Sequence, residues 1–513
     1  MKKLFLTSVF TSFIFLASWA AGAYELRYPP VRWMADLDRT LQTLPALRYA
    51  YDPLDGYLHG TKDEIRALTS AAAGLAGMSR KYLPGLKVEA IDTNNFEEVA
   101  DSSWFTNRIG RTGVSTEDIA AYMAGGCPEL KGPILVHEAA EGGDTPALLV
   151  DDSAGAGFIL HPDPPDAQGI ESARATAAAL ILHAAGYNAA PHCPVTVDRG
   201  SLTIASGARR LGRYGERSEL TREALGKLLE HQPHSTRAVA ARIPEGLPVG
   251  RFAFAGRLFI DKNDRLRHQD RRELRALRLF SAFIGWVKIS GRSAFDVFAG
   301  GEDGEGYMQH WLLNLTDIEE PGSEPNLMNA GASLTNEAFA IMTSRDAYWA
   351  TRLIADFTDP LIDAIISAAH YADESQASKD AQGLKSRRDA IAVKWFGELS
   401  PLDDFSLATE GGVITVSCTD LAVKAADAQS KRRYRARLTT PYGRAIIVPW
   451  REAETCSFTI DGDALQGLTD GRIYELDLQA KDATDEWWLP AVTLLVRAKG
   501  QALSLAGLEW RMR

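Results

Sequence analysis

The densest run of charged side chains in this chain lies in residues 267–280, where arginines, an aspartate and a glutamate alternate with leucines. The spacing predicts a charged helix start that continues into a helix with an apolar face. The segment that follows, residues 285–296, is where we would expect a catalytic loop. It contains no His or Glu, and no Asp before Asp296. The sequence therefore indicates an enzyme-like scaffold that has lost its chemistry.

A second group of polar and aromatic residues spans 101–108 and could bind a ligand through Asp101, Trp104 and Arg108. The alternative role is structural: Trp104 and Phe105 anchor the core, and Asp101 pairs with Arg108 to fix a loop. Large aromatic side chains usually pack when they are buried. The pattern favours the structural role and leaves ligand binding open.

Phosphate and metal chemistry have weak signals. Gly155 and Gly157 could form a turn that cradles a phosphate, although a single G-x-G is usually an ordinary hairpin turn. His231 and His234 flank a proline, which prevents a regular helix from presenting both to a metal. The motifs G-x-S-x-G, H-E-x-x-H and C-x-x-C do not occur in the sequence. We therefore expect no metal site and no cofactor.

The elements that would position these residues form an α+β fold. Strands are predicted at 133–136, 147–152 and 158–160, followed by an Ala-rich helix at 172–185 and a strand at 193–197. Together they would form a small sheet-containing lobe. Residues 220–390 are predicted to be mostly helical. From about residue 402 the apolar period changes to two, which predicts a C-terminal β-sandwich.

The chain ends and composition set the expected location. Lys2 and Lys3, an apolar stretch to Trp19 and the sequence Ala21-Gly22-Ala23 predict a cleaved signal peptide. No later stretch is apolar enough to span a bilayer. The formal charge of −11 argues against nucleic-acid binding. We expect a periplasmic or secreted protein divided into a signal peptide (1–23), an N-terminal extension (24–120), an α+β core (121–400) and a β-sandwich (401–513).

The chain has four cysteines, an even number that suggests two disulfides in an exported protein. Cys418 and Cys456 both fall at inward positions of predicted strands. We predict that they pair, as an inter-sheet bridge inside the sandwich. Cys127 and Cys193 form the second predicted pair.

Several segments resemble a family of exported bacterial proteins that have no assigned reaction. The resemblance covers most of residues 90–405. It rests on D-S-S-W-F-T-N-R at 101–108, G-Y-N at 186–188, the His268–Arg278 block, S-R-D-A-Y-W-A at 344–350, and the signatures at 387–389 and 401–403. The family pattern has a kinase-like layout, which implies a two-lobe core. A glycine turn and a strand Lys would hold phosphates, a helix Glu would orient the Lys, and two loops would supply the base and the Mg²⁺ ligands.

This chain departs from that layout at most of the chemical positions. His161 stands in place of the strand Lys, while Glu171 remains as the possible helix Glu. Trp286, Val287 and Lys288 stand where a His and two Asp are expected, and Ser293 replaces an Asn. Residues 314–316 are Asn-Leu-Thr instead of Asp-Phe-Gly. A site without these carboxylates should bind Mg-nucleotide poorly.

The sequence therefore predicts an exported, non-catalytic, pseudokinase-like binding or scaffold protein. Its partner would be an unidentified envelope protein or a glycan, and the adjacent Trp487 and Trp488 could stack on sugars or serve as a buried anchor. The alternative is an active envelope phosphotransferase, or another transferase, that uses His161, Glu171 and Asp317 in a shifted arrangement.

Overall fold

The computed structural model describes residues 35–37, 39–42, 89–127, 130, 132–141, 145–212, 216–258, 261–287, 289, 293–300, 305–316, 318–320, 336–426, 431–500 and 502–510. The predicted signal peptide lies outside these residues, as do Lys288 and Asp317. So does part of the predicted N-terminal extension.

Helices and strands alternate irregularly up to residue 400, and strands dominate after it. The elements of the first part are β1 (Leu41–Gln42), α1 (Thr116–Gly126), β2 (Ile134–Ala140), β3 (Ala147–Asp151), β4 (Gly157–Pro162), α2 (Glu171–Ala185), β5 (His192–Asp198), β6 (Leu202–Leu211), β7 (Arg217–Glu219), α3 (Arg222–Leu228), β8 (Ser235–Arg242), β9 (Leu247–Gly250), α4 (Arg272–Ile284), β10 (Ala294–Gly300), β11 (Glu305–Leu312), α5 (Glu337–Ala340), α6 (Ser344–Ala355), α7 (Asp359–Ala368) and α8 (Glu374–Glu398). Those of the second part are β12 (Leu402–Glu410), β13 (Val413–Asp420), α9 (Leu421–Ala426), β14 (Arg432–Thr439), β15 (Ile446–Ala453), β16 (Ser457–Asp461), β17 (Ile473–Asp482), β18 (Val492–Lys499) and β19 (Ala502–Trp510).

The first lobe is built on a seven-stranded sheet in the order β5-β8-β4-β3-β2-β6-β7. Neighbouring strands are antiparallel except β2 and β6, which run parallel. The predicted strands and the Ala-rich helix are confirmed here as β2, β3, β4, β5 and α2. The helix ends at Gly186, whose φ of 128° is available to glycine. A Cβ at this position would collide with the Phe105 ring.

The prediction that residues 220–390 are mostly helical is wrong in three places. Residues 235–242 form β8, an inner strand of the seven-stranded sheet, residues 247–250 form β9, and residues 294–312 contain the β10–β11 hairpin, which pairs with β9. The run Ala238-Val239-Ala240-Ala241 is rich in alanine, a residue that favours helices. Pairing with β4 and β5 on both sides overrides that preference.

Helices α4, α6, α7 and α8 form a helical lobe. Helix α4 packs against α6 and α8, and α8 also contacts α7. Trp349, Ile354 and Phe357 are buried with α4 residues such as Phe280 in one continuous cluster. The β10–β11 hairpin belongs to a four-stranded sheet, β1-β11-β10-β9, and packs against the seven-stranded sheet.

The C-terminal region is sandwich-like, as its period-two pattern predicts. It has a three-stranded sheet, β12-β13-β16, and a five-stranded sheet, β15-β14-β17-β18-β19. Ile414 and Phe458 of the first sheet share a core cluster with Leu438 and Leu476 of the second. The strands thus bury one side of each sheet, as alternating apolar residues require.

Both predicted disulfides are present, with Cα–Cα distances of 5.3 Å for Cys127–Cys193 and for Cys418–Cys456. The expected inter-sheet placement of the second bridge is wrong. β13 pairs directly with β16 in the same sheet, and the Cys418 N–H donates to the Cys456 carbonyl at 3.0 Å. Inward position alone does not tell a neighbouring strand from a facing sheet. Two disulfides fit an extracytoplasmic protein.

None of the helices in the described part of the chain is long and apolar enough to cross a bilayer.

Candidate functional site

The candidate catalytic cleft lies where one face of the seven-stranded sheet meets the β10–β11 hairpin. Apolar side chains fill the contact. Ile159 of β4 is buried in one cluster with Phe295 and Val297 of β10 and with Leu313 just after β11, and each is at most 5% exposed. Backbone bonds close the edge, because the Ala190 N–H donates to the Leu312 carbonyl at 2.9 Å. The described part of this face is a dry core contact.

His161 and Glu171 lie toward the same end of the lobe. Strand alternation puts His161 on the face of Ile159, and His161 is buried. Two residues later Asp163 caps α2: its carboxylate accepts the Ser172 N–H at 2.7 Å and the Ser172 hydroxyl at 2.8 Å. Glu171 is the first residue of α2. Burial raises the pKa of Asp163, opposed by these hydrogen bonds.

The glycine turn lies at the opposite end of β4. Its N–H groups are already used, since Ala154 and Ala156 donate to the Asp152 carboxylate at 2.9 and 3.0 Å. The Gly155 N–H donates to the Asp152 carbonyl at 3.0 Å. Gly155 has a φ of 80°, as a tight turn requires. The turn is therefore a self-satisfied Asx turn and presents few free donors to a phosphate.

The segment in the position of a catalytic loop begins with a buried tryptophan. Trp286 is fully buried, and its backbone forms an isolated bridge with Ile318. The Asn314 carboxamide accepts a 3.0 Å hydrogen bond from the Thr316 hydroxyl. Both positions thus carry uncharged groups where the kinase-like layout has a His and a Mg²⁺-binding Asp.

The residues of the predicted ligand site at 101–108 have structural contacts. The Asp101 carboxylate accepts the Asn107 N–H at 2.8 Å, and its charge opposes the lowering of the Arg108 pKa that burial causes. Arg108 donates to the His183 carbonyl at 2.8 Å, near the C-terminus of α2. Trp104 is 3% exposed and stacks on His310, with ring centres 3.6 Å apart.

A buried aromatic and histidine cluster surrounds Trp104, and sequence reasoning missed it. His310 Nδ1 and the Asp296 carboxylate share a 2.6 Å hydrogen bond, and the two residues lie directly opposite each other on the hairpin. His268 contacts the Trp104 edge and hydrogen-bonds Asp264 at 2.8 Å. Burial opposes ionisation of Asp264, but the bond from His268 and the charge of Arg271 hold its pKa below the usual value. The His268 block was visible in the sequence, but its partner His310 is 42 positions away.

The charged side chains of the 271–275 block are buried. The side chains of Arg271, Arg272, Glu273 and Arg275 are at most 3% exposed. Asp346 on α6 lies 3.2 Å from the Arg272 Nε and 3.4 Å from an Arg275 nitrogen. We call these residues, together with the acids that pair with them, the buried ion network; the acids are Asp36, Glu97, Asp264, Asp270 and Asp346.

Motif residues also join the helical lobe to the sandwich. Arg345 contacts Glu97 at 3.1 Å and donates to the Trp510 carbonyl at 2.9 Å. Arg352 forms ion pairs with Glu98 and with Asp403 of β12. The segments on which the family resemblance rests are thus the ones that hold the N-terminal segment, α4, α6 and the sandwich together.

The sandwich contains a cavity of about 210 Å³ between the edges of β15 and β16, with Leu438, Phe458 and Ile460 among its apolar lining. Within the described residues, no group of three or more His, Cys, Asp or Glu side chains could hold a metal ion.

No protein-family model matches the chain, and no curated protein matches its sequence.

Proposed function

We propose that this chain is an exported, non-catalytic protein with a pseudokinase-like core, and that it acts by binding a component of the cell envelope. The order of elements supports the kinase-like part of this proposal. A sheet-containing lobe with the β4–α2 pair precedes helix α4, the β10–β11 hairpin and then Asn314. A kinase-like layout places its catalytic loop and its metal-binding Asp on either side of such a hairpin.

One observation carries the non-catalytic part: the contact between the seven-stranded sheet and the hairpin is filled. Ile159, Phe295, Val297 and Leu313 occupy it with almost no exposed area. Phosphoryl transfer depends on charges and metal ions that stabilise the transferring group. Among the residues that the structure describes here, the apolar contact with Asn314 at its edge offers neither the space nor the ligands for such a group.

We place the binding part of the proposal on the protein surface. The motif segments at 101–108, 268–278, 344–350 and 401–403 are used for packing and ion pairing, so recognition of a partner would fall to surface residues. Export and disulfides favour an envelope partner, either a protein or a glycan. Cytoplasmic ATP would not reach such a protein.

A turnover assay with radiolabelled ATP and Mg²⁺ tests the proposal against the alternative transferase. We expect neither hydrolysis nor self-phosphorylation above the level of a heat-denatured sample. Turnover that disappears in His161→Ala, Glu171→Ala and Asp317→Ala, but persists in the surface variant Asp359→Asn, would establish the transferase instead. Turnover that persists in all four would identify a contaminating enzyme and leave the proposal intact.

A further inference from the structure

The outer face of the five-stranded sheet carries an alternating row of cations and indole rings. The Arg435 guanidinium lies 4.4 Å from the ring centre of Trp450 and 4.4 Å from that of Trp488. Arg437 lies 4.6 Å from Trp450 on one side, and the Lys481 ammonium lies 5.2 Å from Trp488 on the other. We call this row, Arg437-Trp450-Arg435-Trp488-Lys481, the Trp–Arg ladder.

The sequence builds the ladder through strand alternation. Tyr434, Ala436 and Leu438 of β14 point into the sandwich core, so Arg435 and Arg437 point outward. Arg435 lies opposite Gln479 of β17 in the sheet register. The loop that carries Trp488 is held on β17 by a 3.0 Å bond from the Leu489 N–H to the Ala480 carbonyl.

Two cations of the ladder, Arg435 and Lys481, donate their described hydrogen bonds to uncharged groups. Arg437 is paired with Asp477 at 2.8 Å. Arg435 instead donates from Nε to the neutral Gln479 side chain at 2.8 Å, and Lys481 donates to the Asp485 carbonyl at 2.8 Å. Burial lowers the pKa of Arg435, the charge of Glu452, its register partner on β15, opposes this shift, and the charge of Arg437 adds to it. A bound anion would relieve this desolvation.

Two indole rings and one hydrogen bond restrict the Arg435 guanidinium. A guanidinium has five N–H donors in one plane. The Arg435 Nε–H is used by Gln479, so the donors on its two terminal nitrogens are the ones that an anion would bind. Both rings restrict its rotation, which lowers the entropic cost of forming a two-point bond to a carboxylate or phosphate.

We infer that the Trp–Arg ladder binds an acidic polysaccharide. Arg435 and Lys481 would bind its acidic groups, and Trp487 would stack on a sugar ring. These cations form a local positive site on a chain whose formal charge is −11. Trp487 is 71% exposed beside the ladder, whereas the faces of Trp488 are occupied by cations. The adjacent tryptophans thus have different roles. The inference rests on the proposed function only in taking a surface, and not the cleft, as the binding site.

Calorimetric titration of the mature chain with hexagalacturonate, an acidic sugar oligomer, tests this inference. Maltohexaose is the neutral control of equal length, and galacturonate monomer and inorganic phosphate are the small-anion controls. We expect the acidic hexamer to bind at least 10-fold more tightly than each control, and binding to weaken in 0.5 M NaCl. Equal binding of maltohexaose, tighter binding of phosphate, or no binding of the hexamer would overturn the inference.

Matched variants locate the site. Arg435→Gln and Lys481→Gln should each weaken binding of the hexamer at least 5-fold, and Trp487→Ala should weaken it without changing its salt dependence. Arg433→Gln is the control, because Arg433 lies on the same strand and is already paired with Glu452 at 3.1 Å. Lys481→Gln changes a half-buried position and Trp487→Ala an exposed one, so both keep the test valid if Arg435→Gln unfolds. An equal loss in Arg433→Gln would contradict the ladder as the site. ATP titration of the same samples reports on the core separately, so either proposal can fail alone.

Discussion

Removing the charge of Asp346 is the sharpest test of a structural role for the motif residues. Asp346 is fully buried on α6 and faces two buried guanidinium groups, those of Arg272 and Arg275. Its carboxylate also accepts the Thr343 N–H at 2.9 Å, which caps the helix. Asp346→Asn keeps the shape of the side chain and its cap acceptor but leaves both arginines short of one negative charge.

The expected cost follows from these contacts. Breaking a buried ion pair costs about 3–5 kcal/mol, because a charge is left without compensation in a medium of low polarity. Arg272 keeps Glu97 at 2.7 Å and Arg275 keeps Asp270 at 3.3 Å, so we expect about 3 kcal/mol. For a cooperative unit of about 200 residues this lowers Tm by roughly 6–12 °C.

Differential scanning calorimetry of the mature chain measures the shift. Asp359→Asn is the matched control: it removes one carboxylate that is 56% exposed and pairs with Arg388 at 2.7 Å. A surface pair of this kind contributes about 0–1 kcal/mol. If Asp346→Asn melts within 2 °C of the control, the buried ion network does not hold the lobes together and its residues are free for another role.

Three further results are expected. Burial and the neighbouring Asp92 raise the pKa of Glu273. The wild-type chain should therefore lose stability as pH rises above about 4.5 toward that raised pKa, by about 1.4 kcal/mol per pKa unit. Glu273→Gln should flatten this pH dependence of stability in urea melts at pH 4 to 8, and an unchanged slope would contradict the expectation. Replacing Cys418 and Cys456 by Ser should cost about 4 kcal/mol for a loop of 38 residues, with thermal melting of the sandwich as the readout and a shift under 1 °C as the contrary result. Gly186→Ala should lower Tm, because the positive φ and the Phe105 ring leave no room for a Cβ; unchanged melting would show that α2 can end differently.

Local patterns predicted the local elements. Helix α2 ends at Gly186 as its sequence indicates, and the period-two runs after residue 402 became the two C-terminal sheets. These elements carry their own signals, namely a cap and an alternation. Strand β8 carries none, because a run of alanines fits a helix as well as a strand buried on both sides.

The role of the charged block could not be predicted for a related reason. A helix with arginines on several sides is expected to be exposed to solvent, since exposed ion pairs are common. Its burial depends on acids that come from residues 36, 97 and 346, far apart in the chain. The stacking of Trp104 on His310 is likewise a long-range contact. The Trp–Arg ladder needs the strand register of β14 and β17 to align Arg435 with Trp488.

The most direct test of the central claim is a thermal-shift titration of the mature chain with ATP, with and without Mg²⁺. A ligand present at 100 times its Kd stabilises a fold by about 2.7 kcal/mol, which a melting curve resolves. Because Phe295, Val297 and Leu313 fill the cleft, we predict the same Tm at every nucleotide concentration, with or without Mg²⁺. A saturable, Mg²⁺-dependent rise in Tm that Asp317→Ala abolishes would contradict the account and assign phosphoryl-transfer chemistry to this core.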